Sequence, residues 1–124
     1  MMAFKQRKNE RFFETGKVLV PDLCIFPGFL VDISAGGCKV RFPAPLEPDR
    51  EHDYQASFAL AWKTSPAPFV LILQPRWKKK QASGTEIGFE VLRSPGTKHL
   101  VSYIEYRTHE ELAAAVRPRS TDFI

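Results

Sequence analysis

The sequence predicts a mainly β fold, a small barrel whose open end is covered by one C-terminal helix. Three observations point to it: six apolar or alternating segments of strand length, short interruptions rich in proline or glycine, and helical spacing confined to the end of the chain. At 124 residues the chain is most simply one domain, and 44% hydrophobic content with ten phenylalanines is enough for a packed core. We divide it into a flexible leader, residues 1–15, a folded body, residues 16–117, and a tail, residues 118–124.

KVLVPDLCIF (17–26) is rich in β-branched and aliphatic residues, meets Pro27-Gly28 and reads as the first strand. FLVDIS (29–34) and CKVRF (38–42) flank Ala35-Gly36-Gly37 and read as a hairpin. PAPLEPDREH (43–52) sets three prolines among charges and is a loop. YQASFALAW (54–62) and FVLILQPRW (69–77) follow as strands. Pro75 cannot donate to a ladder, which predicts an edge or a bulge and a bend near Arg76. KKKQASGTE (78–86) reads as a turn before the strand IGFEVL (87–92), in which Gly88 marks a bulge or a close backbone approach. Ser94-Pro95 has the form of a helix start, with a capping hydroxyl and proline at the first position. Leu100, Val101 and Ile104 then fall at helical spacing, and HEELAAAV (109–116) carries the helix on until Pro118 ends it.

A net charge of +4 points to an anionic partner, and its placement matters more than its size. Lys5, Arg7, Lys8, Arg11 and Lys17 crowd the leader, while Arg76, Lys78, Lys79 and Lys80 form a second knot. No apolar run is long enough to cross a bilayer and no signal-peptide pattern opens the chain, so the expected location is the cytoplasm, without membrane insertion. Cys24 and Cys38 lie in apolar segments and are expected as buried free thiols. His52, His99 and His109 lack ligand spacing, so no metal site is expected. No nucleophile and base share a motif, so no catalytic residue is expected either.

Two small motifs remain. Arg7 and Arg11 stand four apart in a polar leader. Asp32 and Ser34 stand two apart on a strand, so both leave on one face, just before Gly36-Gly37, where a flat ring or a phosphate can approach the backbone. Taken alone, Asp-x-Ser before Gly-Gly reads as a turn. Taken together, Arg7-x-x-x-Arg11, Asp32-x-Ser34-x-x-Gly37 and the downstream Gly88-Phe89-Glu90-Val91 resemble the PilZ domain family, over nearly the whole chain from Arg7 to the terminal helix.

The resemblance implies a six-stranded antiparallel β-barrel of the split-barrel type that binds cyclic di-GMP, a ligand rather than a cofactor. Arg7 and Arg11 would grip phosphate and guanine, for which a planar guanidinium fork suits both, and Asp32 and Ser34 would take a guanine edge beside Gly37. Gln6 precedes the first motif arginine, where many relatives carry another arginine or an aliphatic residue, a position that bears on whether one ligand or a stacked pair is bound. Lys8, Gly36 and Trp77 are further candidate contacts, Trp77 reading equally as a stacking surface and as a barrel-rim aromatic. Closure of the leader over the ligand would then signal to a downstream protein partner. Two other readings are a PilZ-like interaction module that binds no nucleotide and a nucleic-acid-binding barrel. Acidic residues interleaved with the lysines weigh against the second.

Overall fold

In the computed structural model, residues 11–60 and 68–116 are described. Their elements are β1 (Phe12–Phe13), β2 (Gly16–Leu19), β3 (Gly28–Ile33), β4 (Gly37–Phe42), β5 (Tyr54–Leu60), β6 (Phe69–Gln81), β7 (Gly84–Leu92) and α1 (Thr97–Val116). Every pairing is antiparallel, and the order β3-β2-β5-β6-β7-β4 returns to β3, closing a six-stranded barrel. Closure leaves no open edge in the ring. β1 lies outside it. Phe12 pairs with Ile33, whose other edge is taken by Cys38, so β1 extends the edge of β3 that β2 uses further along. Of the segment read as a leader, residues 11–15 are therefore seated on the barrel, and Phe12 is buried.

Inward-facing residues of the ring, among them Val18, Leu30, Val40, Phe42, Phe58, Leu71, Leu73 and Ile87, form one core cluster with Leu100 and Tyr103 of α1. Each such side chain contributes about 1.5–3 kcal/mol by leaving water. Phe69 stacks between Phe58 on one side and His99 of the helix on the other. The start of the helix is stapled to β6, since Gly96 N–H donates to the Val70 carbonyl at 2.7 Å and Ile72 N–H donates to Ser94 Oγ at 2.7 Å. The helix itself begins at Thr97, two residues beyond the expected first position at Pro95: the Ser94 hydroxyl serves the strand in place of capping the helix, and its own N–H is capped by Thr97 Oγ1. Cys24 and Cys38 are buried free thiols. Among the described residues, no helix is long and apolar enough to cross a membrane.

Two expected elements differ in extent. The strand expected over 17–26 ends at Leu19, because Pro21 interrupts the ladder and the Val20 carbonyl turns to accept N–H bonds from Leu23 and Cys24. The turn expected over 78–86 shrinks to Ala82-Ser83: β6 runs on to Gln81, opposite Gly84. The lysines there are exposed, although the β7 residues paired with them, Thr85, Glu86 and Ile87, are buried. Residues 61 and 62 of the expected fourth strand lie outside the described residues.

Candidate ligand-binding cleft

Two bulges build the site. In β3, Leu30 opposes Val40 and Asp32 opposes Lys39, leaving Val31 as the extra residue. Leu30 points into the core, and strict alternation would send Asp32 after it. The extra residue reverses the phase: Ile33 enters the core opposite Cys38, and Asp32 turns to the outer wall. β6 repeats the device. Leu71, Leu73 and Pro75 point inward, Pro75 opposes Phe89, and Arg76 is the extra residue that lets Trp77 face outward over Gly88. The bulge expected from Pro75 is therefore present.

The consequence is a row of four residues in register across the outer wall: Asp32 on β3, Lys39 on β4, Gly88 on β7 and Trp77 on β6. Gly88 is the close approach foreseen, since a Cβ there would stand 2.2 Å from the Trp77 indole. The indole lies against bare backbone and stays 40% exposed. Lys39 Nζ stands 6.0 Å from the indole centroid and 3.6 Å from Asp32 Oδ2. From the other side, Arg11 Nη1 donates to Asp32 Oδ1 at 2.8 Å. Asp32 is only 4% exposed, so its carboxylate is matched by two cations in place of water.

The turn after β3 sets the floor. Ser34 N–H donates to the Gly37 carbonyl at 2.8 Å, while Ser34 Oγ accepts from Gly37 N–H and donates to the Gly37 carbonyl, both at 3.2 Å. The Gly36 carbonyl accepts from Val91 N–H at 2.9 Å, tying the turn to β7. A Cβ on Gly37 would lie 2.8 Å from the Phe89 carbonyl and 3.4 Å from Arg11 Nη2, so glycine admits both β7 and the guanidinium. Beneath this floor, burial first and then the Asp32 carboxylate push the Cys38 thiol far above its ordinary pKa.

Together these residues enclose an open cleft of about 510 Å³, completed by the Arg76–Glu90 ion pair. That volume falls in the range of small-molecule sites. Of the residues singled out in the sequence, Arg11, Asp32, Gly36, Gly37 and Trp77 converge on the cleft. Ser34 borders it, its hydroxyl engaged by the turn. Gln6, Arg7 and Lys8 lie outside the described residues. Lys39 and Glu90 line the cleft without having been foreseen as contacts, while Arg76 comes to it from the second basic knot. The alternation of CKVRF was the available signal for Lys39, but its partnership with Asp32 depends on the bulge at Val31.

A family model described as the PilZ domain matches residues 5–106, spanning both motifs and the barrel. The chain belongs to the PilZ family. PilZ domains are regulatory binding modules of cyclic di-GMP signalling. Among solved structures, the Bacillus subtilis inhibitor of motility (MotI/DgrA) superposes with a TM-score of 0.66 at 14% identity, covering 81% of this chain and 50% of that one. The likeness is one of fold, and this PilZ chain spans about half the length of that protein. No curated protein matches.

Proposed function

We propose that this PilZ domain is a cyclic di-GMP receptor that acts by binding alone, with the ligand seated on the outer wall between Asp32, Gly37 and Trp77. The observation that carries the reading is the meeting of the two motifs: Arg11, from the leader, stands 2.8 Å from Asp32 at the mouth of the cleft. A cyclic dinucleotide brings two phosphates and two guanines. Arg11 and Arg7 supply forks for phosphate oxygens or for guanine O6 and N7, and the Asp32 carboxylate complements the N–H donors of a guanine edge. Trp77 offers a face on which a base can stack, worth about 1–3 kcal/mol. Gly88 lets the Trp77 indole lie flat on the wall and Gly37 admits the Arg11 guanidinium, and these two groups frame the space for the rings.

Ligand binding changes the partner of Arg11 beside β1 and with it the surface that a downstream protein meets, a population shift between two states of the domain. Calorimetric titration with cyclic di-GMP tests the reading, with linear GMP as control. Arg11→Ala removes a charge-assisted bond worth about 1.5–3 kcal/mol and is expected to weaken binding roughly tenfold to over a hundredfold. Wild-type affinity in both Arg11→Ala and Asp32→Ala would remove the proposed site.

A further inference from the structure

Arg11 engages Asp32 through Nη1, and a ligand phosphate would compete with that carboxylate for the same guanidinium. A phosphate that recruits it would strip the carboxylate of its closest cation. At this depth an unmatched carboxylate is strongly unfavourable. Lys39 answers the difficulty. It sits in mid-β4, flanked in register by Asp32 on β3 and Gly88 on β7, and its ammonium lies between Asp32 Oδ2 and the Trp77 face. The other carboxylate of the cleft, Glu90, is already paired with Arg76 and does not compete for it. Arg11, by contrast, precedes the two-residue β1 and has a side chain 51% exposed.

We propose that Lys39 is a positioning residue, the resident counter-ion of Asp32, which alone holds that charge when Arg11 transfers to a ligand phosphate. The exchange is balanced: Arg11–Asp32–Lys39 becomes phosphate–Arg11 and Asp32–Lys39. An ammonium is a point charge that engages one carboxylate oxygen, so Oδ1, vacated by Arg11, is free for a guanine N–H. This role rests on the cyclic di-GMP reading.

Arg11→Ala mimics the transferred state without ligand, so the test begins with the ligand-free protein. Urea unfolding midpoints are compared for wild type, Arg11→Ala, Lys39→Met and the double variant, then repeated in an Asp32→Asn background. Either cation can hold Asp32, so the double variant is expected to lose more than the sum of the single losses, and the excess is expected to vanish with Asp32→Asn. Lys39→Gln gives the same comparison should the methionine variant fold poorly. Titration with cyclic di-GMP follows, in which Lys39→Met is expected to bind at least tenfold more weakly than wild type. Additive losses, an excess that persists with Asp32→Asn, or unchanged affinity of Lys39→Met would each overturn the role of Lys39. A wild type that shows the excess yet binds no cyclic di-GMP would instead overturn the receptor reading and, with it, the transfer of Arg11.

Discussion

At the scale of single residues, Gly88 is the position where a one-carbon change tests the wall of the cleft. A methyl group there would overlap the Trp77 indole, whose exposed ring can swing away more cheaply than the backbone can move. Gly88→Ala is therefore expected to cost no more than about 1–3 kcal/mol of stability. It should also shift the tryptophan fluorescence and remove the stacking contribution to ligand affinity. Cys38 carries a pH signature. Its thiol, held neutral by burial and by Asp32, binds its proton more tightly in the folded than in the unfolded chain. That contribution is complete below the unfolded thiol value of about 8.5 and fades as pH rises through the folded one. Denaturation midpoints of wild type and Cys38→Ala should therefore draw together above pH about 8.5; a constant gap through pH 10 would contradict the assignment. The sequence marks Cys38 as buried, but not its nearness to a carboxylate, which depends on the pairing of β3 with β4.

At the scale of elements, α1 and β1 are locked by a polar knot. Glu14 Oε1 accepts from Tyr103 Oη and from Arg107 Nη1, both at 2.6 Å, and Arg107 also donates to the Phe13 carbonyl and covers the Phe12 ring. Arg107 and Glu14 keep only 17% and 11% of their side-chain exposure. Arg107→Ala leaves that carboxylate unmatched and is expected to cost about 3 kcal/mol, read from chemical denaturation. Burial, and then Glu14, push the Tyr103 hydroxyl well above its ordinary pKa. Its stabilising contribution is thus whole below the unfolded value of about 10 and is lost at higher pH, a dependence that Tyr103→Phe should flatten. Helical spacing makes the stripe of Leu100 and Ile104 legible in the sequence. The anchoring role of Arg107, one turn on, has no signal there, because its partner Glu14 lies in a segment whose composition looks like a loose leader. The far end of β6 was hidden for a similar reason: three consecutive lysines lack the apolar alternation that marks a strand, and what holds them extended is the ladder with β7.

At the scale of the whole molecule, the closed barrel and the family are legible in six apolar segments and two motifs, while the cleft is legible only in its motif residues. Strict alternation would bury both Asp32 and Trp77, and only the two bulges, each one residue long, bring them onto one outer row. Pro75 announces the second bulge; nothing in Leu30-Val31-Asp32 announces the first. This is why Lys39 escaped a reading that had found both of its neighbours in function. The account therefore stands on that outer row being where the ligand binds, and backbone amide NMR during a cyclic di-GMP titration measures it most directly. The largest shifts are expected at Asp32, Gly37, Lys39 and Gly88 and at the Trp77 indole N–H, with Arg11 moving alongside them. Shifts confined to another face of the barrel, or a spectrum unchanged at saturating ligand, would contradict it.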